Sequence, residues 1–175
     1  MYYYAGIGSR ETPEEIINLM KMMAKHLAKC GITLRSGAAQ GADSAFEEGC
    51  DEVGGNKEIY LPWKGFQNSK SNLIVSSPKA FEYVRDFHPG FNYLSQGVMK
   101  LQARNSHQVL GQDLETPSNF IICYTKKGKG SGGTGQALRL AKEFKIPIFD
   151  CGLYEEDLEL LKGKYRDFLK EVFEK

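Results

Sequence analysis

Residues 128–143, Gly-Lys-Gly-Ser-Gly-Gly-Thr-Gly-Gln-Ala-Leu-Arg-Leu-Ala-Lys-Glu, pass from glycines straight into a helical pattern, and the apolar run Asn119-Phe-Ile-Ile-Cys-Tyr124 precedes them. The succession predicts a strand, a tight turn and a helix start. Backbone N–H groups exposed at such a start, with the positive end of the helix dipole behind them, favour an anion, and glycines let it come close. Lys126, Lys127 and Lys129 add positive charge. Taken alone, the stretch reads equally as a phosphate cradle and as a plain connector.

The remaining segments set that turn in a larger pattern. Tyr2-Tyr-Tyr-Ala-Gly-Ile7 has no polar alternation, as in a strand buried on both faces, and it ends in Gly6-Ile-Gly-Ser-Arg10. Thr12-Pro13-Glu14-Glu15 then predicts a Thr-capped helix, with Ile16, Met20, Met23, Ala24 and Leu27 facing a core. Ile32 to Ser36 reads as the second strand, Gly37 to Asp43 as a small-residue turn opening a helix towards Val53, and Lys57 to Leu61 as the third strand. Pro62 to Pro78 reads as an irregular excursion whose Trp63 and Phe66 suit a flat ring. Further on come a short helix over 78–85, a longer one from Asn92 to about Leu110 with Leu94, Val98, Leu101 and Val109 inward, a strand over 145–150, and a closing helix over 155–173. Strands alternating with helices through short glycine turns predict an α/β fold: a Rossmann-like, doubly wound parallel sheet of about five strands flanked by helices.

Composition narrows the function classes. A chain of 175 residues with 41% apolar content is the size of one domain, and no linker or repeat interrupts it. With 23 basic against 22 acidic residues, the net charge of +1 does not advertise a polyanion partner. The separated Cys30, Cys50, Cys123 and Cys151 form no Cys-x-x-Cys pair and read as reduced, packed thiols, which points to a cytoplasmic setting. No basic-then-apolar leader follows Met1 and no run reaches the length of a membrane helix. No metal site is expected, and no cofactor is required beyond a nucleotide-type ligand.

In a parallel sheet the turns leaving the carboxyl ends of the strands crowd one edge, where such folds bind ligands. Three small-residue turns meet there: Gly6 to Arg10, Ser36 to Asp43 and Gly130 to Gln136. The first lacks the third Gly of a dinucleotide fingerprint, and Leu34-Arg35 stand where an acidic residue would end the second strand, so an ordinary NAD site is disfavoured. A ligand with phosphates and a flat base fits better. Gly8, Ser9 and Arg10 are candidates for one phosphate and Ser131, Gly132, Gly133 and Thr134, with Gln136, for another; Ser36, Gly37, Ala38 and Gly41 form the middle turn. Asp43 would accept from ribose hydroxyls, and Trp63 would stack on the base. The plainer readings are a first-turn helix residue for Asp43 and a salt bridge to Glu11 or Glu14 for Arg10.

Gly6-Ile-Gly-Ser-Arg10, Leu34-Arg-Ser-Gly-Ala-Ala-Gln-Gly-Ala-Asp43, Ala103-Arg-Asn105 and Ser131-Gly-Gly-Thr-Gly-Gln-Ala137, in that order, resemble the SLOG superfamily. That superfamily includes the Rossmann-like domain of DprA/Smf and the LOG phosphoribohydrolases, and the resemblance is nearest to stand-alone phage and bacterial members. It implies ligand binding at the edge just described, involvement of Arg104 and Asn105, and a homodimer or higher homo-oligomer. Three functions are implied by its branches: sensing or sequestering a nucleotide-derived signal, NAD-derived or cyclic, in phage–bacteria conflict and anti-defence; LOG-like N-glycosidase cleavage of a nucleoside phosphate; and DprA-like single-stranded DNA binding. The LOG motif Pro-Gly-Gly-x-Gly-Thr-x-x-Glu is not kept: Ser131 replaces the Pro, and Leu138 or Arg139 falls near the Glu position. Asp43 or Glu47 would have to substitute, and no catalytic residue is assigned. The sequence reading therefore favours binding over turnover.

Overall fold

The computed structural model describes residues 1–175. Its strands are β1 (Tyr3–Gly8), β2 (Thr33–Ser36), β3 (Lys57–Leu61), β4 (Leu73–Ile74), β5 (Phe120–Tyr124) and β6 (Ile148–Asp150). Its helices are α1 (Glu14–Lys29), α2 (Ala42–Glu52), α3 (Pro78–Phe87), α4 (Gln96–Leu110), α5 (Thr134–Glu143) and α6 (Leu158–Phe173), with α3 and α4 in succession between β4 and β5. All six strands are parallel, in the order β4-β3-β2-β1-β5-β6. The sheet has one strand more than expected, because the excursion after β3 lays Leu73–Ile74 along Tyr60–Leu61.

Side chains of successive strand residues go to opposite faces, so each central strand feeds two cores. Tyr4, Leu34, Phe120 and Ile122 pack under α1, α2 and α6, with Met20, Leu27 and Phe46 fully buried among them. Ala5, Ile7, Ile121 and Cys123 pack under α3, α4 and α5 with Val84, Val109 and Leu140. This two-sided burial is why β1 and β5 lack polar alternation.

Three expectations about helices need correction. The Thr12 hydroxyl donates to Ser9 O at 2.6 Å, and α1 begins without a side-chain cap. The chain turns through a short 3-10 segment at Phe91–Tyr93 before α4 starts at Gln96, with Ser95 Oγ accepting from Val98 N. Val98 is exposed rather than inward, and the buried residues of α4 begin only at Gln102, because the first turns of the helix have no strand beneath them. The closing helix likewise starts at Leu158, where Asp157 Oδ1 accepts from Leu160 N. Cys50, Cys123 and Cys151 are buried free thiols and Cys30 is exposed. No helix is long and apolar enough to cross a membrane.

Candidate functional site

β1 and β5 are neighbours, yet the chain leaves them in opposite directions: α1 returns on one face of the sheet and α5 on the other. The carboxyl ends of these two strands therefore open a crevice, the switch point at which ligands enter open α/β sheets.

The glycine turn after β5 is built on a buried carboxylate that sequence reading missed. Asp150 Oδ1, at the end of β6, accepts from Thr125 N and Gly152 N at 2.9 Å each, and Asp150 Oδ2 accepts from Thr125 Oγ1. Thr125 Oγ1 in turn accepts from Gly130 N at 2.9 Å. Gly130 and Gly132 take positive φ angles of 66° and 74°, which glycine reaches without steric cost. The result is a pinned loop whose amides at Ser131, Gly132 and Gly133 find no acceptor in the protein. No side chain caps α5, so these donors and its dipole face the crevice. Thr134 is the first residue of the helix; Gln136 is buried and turned away, its amide donating to Tyr83 O and accepting from Arg139.

The first turn is tied up differently. Ser9 N donates to Tyr124 O at 3.0 Å, Glu11 N to Ser9 Oγ at 3.0 Å, and Ser9 O accepts from Ala42 N. Gly8 and Ser9 thus join β1, β5 and α2, while the exposed Arg10 side chain makes no ion pair with Glu11 or Glu14. In the middle turn Ser36 is wholly buried, its hydroxyl donating to Gly6 O at 2.6 Å. Ala38 holds φ = 62°, uncommon for a residue with a Cβ. Gly41 sits against Ser9 O and Arg10 O.

Behind the turns stands α4. Arg104 donates through Nη1 to Gly37 O and Tyr60 O and through Nε to Asn105 Oδ1, and Asn105 Nδ2 donates to Gly133 O at 3.1 Å and to Gln102 Oε1. One arginine–asparagine pair therefore fastens the ends of β2 and β3 to the glycine turn. Gly37 has no room for a side chain, since a Cβ would strike Arg104 and Gln108. Asp43 lies in the first turn of α2 with Oδ2 accepting from Ala39 N at 3.3 Å. Burial pushes its carboxyl up to about 6, against the pull of the Arg104 charge and the amides of Ala39 and Gly8. Burial also lowers the pKa of the Arg104 guanidinium, and the Asp43 charge opposes that shift.

At the mouth, Trp63 is 40% exposed and meets Phe66 edge-on at 5.4 Å; Phe66 in turn lies under the Arg104 guanidinium at 5.6 Å. Lys64, Lys126, Lys127 and Lys129 on the same loops have no carboxylate partner, whereas the ion pairs of Lys21, Lys25 and Lys57 lie on α1, α2 and β3. The balanced total hides a positive edge. Glu47 is paired with Lys57 Nζ at 2.8 Å and Glu143 ends α5; the buried carboxylates near the glycine turn are Asp43 and Asp150, each already accepting hydrogen bonds from the protein. Two cavities, of about 320 and 290 Å³, lie elsewhere, between α3 and α4 and around Arg35 and Glu58.

No protein-family model matches the chain, and no curated protein matches it. Solved structures do. The molybdenum cofactor carrier protein of Chlamydomonas reinhardtii superposes with a TM-score of 0.55 at 18% identity, covering 87% of this chain and 77% of its own. DNA processing protein A of Helicobacter pylori gives 0.56 at 22% identity over 85% of this chain, and DprA of Streptococcus pneumoniae 0.56 at 19% over 86%.

The chain shares the Rossmann-like α/β fold of these structures.

The chain spans 64% and 50% of the length of those two DNA processing protein A chains. What the comparisons share with it is the sheet and its edge; the donors and charges at that edge are read from this chain's own residues.

Proposed function

We infer that this chain binds a nucleotide or nucleotide-derived molecule in the crevice between β1 and β5. The observation that carries the reading is the set of unpaired amides at Ser131, Gly132 and Gly133, held on an uncapped helix start by the Thr125–Asp150 network. They would take a phosphate, with Arg10, Lys126, Lys127 and Lys129 neutralising its charge. Trp63 would cover a base, and Asp43, Arg104 and Asn105 would set the shape of the crevice wall. Retention fits better than cleavage, because the carboxylates near the turn, Asp43 and Asp150, are buried and already hydrogen-bonded within the protein. A role as sensor or sequestering protein in phage–bacteria conflict is the physiological form of this reading. Two of the similar structures are named for carrying molybdenum cofactor and for binding single-stranded DNA, which accords with a binding role.

Native mass spectrometry against nucleoside mono- and diphosphates, dinucleotides and cyclic dinucleotides tests it. Binding is expected as a stoichiometric mass increment without base release, weakened in a Lys126→Ala, Lys127→Ala, Lys129→Ala triple variant. Base release by the wild type would replace binding with hydrolysis, and the absence of any increment would remove the reading. A second reading, an extended single strand, is favoured by the unpaired cations Arg10, Lys64, Lys126, Lys127 and Lys129 on the loops after β1, β3 and β5, together with the exposed Trp63. It predicts affinity for an oligothymidylate that falls steeply with salt.

A further inference from the structure

Arg35, on β2, is only 2% exposed although it carries a full charge. Its Nε donates to Glu58 Oε1 at 2.9 Å and its Nη1 to Thr116 O at 2.6 Å and Ser118 Oγ at 3.2 Å, while the guanidinium carbon lies 3.9 Å from the centre of the Tyr3 ring. The third nitrogen, Nη2, donates to no group of the protein. It is not sealed in: the buried side-chain atoms left without a partner are Tyr4 Oη and His107 Nε2, so Nη2 opens on the cavity of about 290 Å³ that Arg35 lines with Tyr3, Glu58, Gln112, Asp113 and Thr116. On the same cavity Glu58 Oε1 accepts from Arg35 and, at 2.7 Å, from Tyr60 Oη, whereas Glu58 Oε2 accepts nothing. Asp113, with Oδ1 accepting from Glu115 N and Oδ2 from Thr116 Oγ1 at 2.9 Å each, brings a second carboxylate. Tyr3 opens β1 and the loop over 111–119 leads into β5, so the cavity lies at the amino edge of the sheet, away from the crevice.

We propose that this cavity is a second small-molecule site, built for a zwitterion of the α-amino acid class, with its carboxylate on Arg35 Nη2 and its ammonium between Glu58 Oε2 and the Asp113 carboxylate. The donor and acceptor set decides the class. A guanidinium presents its N–H groups in a rigid fork, and one fixed by Glu58, Thr116, Ser118 and the Tyr3 ring holds its remaining donors ready for an acceptor. A simple anion would satisfy Nη2 but would sit beside two carboxylates that outnumber the one cation. A simple cation would suit the carboxylates and leave Nη2 unpaired, where an unmade hydrogen bond is costly. A carboxylate and an ammonium borne on one carbon meet both demands, each through a charge-assisted hydrogen bond. The side chain of such a ligand would meet Tyr3, Gln112 and Thr116. The volume is near the lower end of small-molecule pockets, roughly 300–1,000 Å³. None of these residues takes part in the crevice, so the site stands whether or not a nucleotide binds there.

Titration of the isotope-labelled full chain with each standard α-amino acid, and with acetate and methylammonium as the two halves of the ligand, tests the proposal through the Arg35 side-chain N–H resonances and the amides over 112–116. At least one amino acid is expected to shift these resonances saturably, with acetate and methylammonium each bound about ten-fold or more weakly. Glu58→Gln keeps an acceptor for Arg35 Nε and Tyr60 Oη while removing the charge, and Asp113→Asn alters an exposed side chain. Each should weaken the binding about ten-fold, with thermal unfolding confirming that the variants remain folded. Resonances that no amino acid moves at millimolar concentration would overturn the proposal. So would acetate binding as tightly as the amino acids, which would mark a plain anion site, or an affinity that both variants leave unchanged.

Discussion

Asp43 and Arg104 show how single residues set the crevice. Because burial raises the Asp43 carboxyl to about 6 from an ordinary 3.8, the folded protein holds that proton more tightly than the unfolded chain. The stability this contributes is complete below about pH 4 and is lost as pH rises through about 6. Wild type should therefore lose stability relative to Asp43→Asn between those limits, by up to about 3 kcal/mol, in urea unfolding followed across a pH series. A difference that does not vary with pH would show that the carboxyl titrates normally. Arg104 is the heavier member. Arg104→Met strips donors from Gly37 O and Tyr60 O and leaves the Asp43 carboxylate buried without its counter-charge, so it should cost about 3–5 kcal/mol in the same assay above pH 6.

At the scale of elements, the β5–α5 turn is the part on which the proposed binding depends, and its shape is imposed from β6. Thr125→Val removes the hydroxyl that links Asp150 to Gly130 N, leaving a buried oxygen and an amide unpaired at a cost of about 1–3 kcal/mol. Amide hydrogen exchange at Gly130 should accelerate by the corresponding factor, whereas protection in α1 and β1 should follow only global stability. Much of this element was legible in the sequence. Glycines after an apolar run marked the turn, and the periodicity of Ala137, Leu138 and Ala141 marked the helix. Its fastening was not legible, because Thr125 and Asp150 are brought together by strand pairing between segments 25 residues apart, a register that no local pattern records. The misplaced start of α4 has a related cause: its first turns project past the sheet, so Val98 sits at helical spacing from Leu94 without a core to face. For Ser36 and Gln136 residue type suggested ligand contact, and hydrogen bonds to Gly6 O and Tyr83 O instead turn them inward.

For the whole molecule, charge placement matters more than charge balance. A net charge of +1 gave no sign of a polyanion partner, yet the ion pairs lie away from the crevice and Arg10, Lys64, Lys126, Lys127 and Lys129 surround it unpaired. A linear sequence does not reveal this segregation, since it arises from the loops of three separate strands meeting at one edge. If a nucleic-acid strand occupies that edge, the triple change Lys126→Ala, Lys127→Ala, Lys129→Ala should reduce the slope of log affinity against log salt by about one for each phosphate contact removed. Folding stability should move by less than about 0.5 kcal/mol, because the three side chains are exposed. An unaltered slope would place the strand elsewhere on the protein.

The central claim is that a phosphorylated ligand sits on the uncapped start of α5. Titration of the isotope-labelled protein with nucleoside phosphates, dinucleotides and a short oligothymidylate, followed by amide resonances, tests it most directly. The account predicts that the largest shifts fall on the amides of Ser131, Gly132 and Gly133, accompanied by the indole N–H of Trp63. Shifts centred on the Arg35–Glu58 cavity, or no shift from any member of the panel, would contradict it.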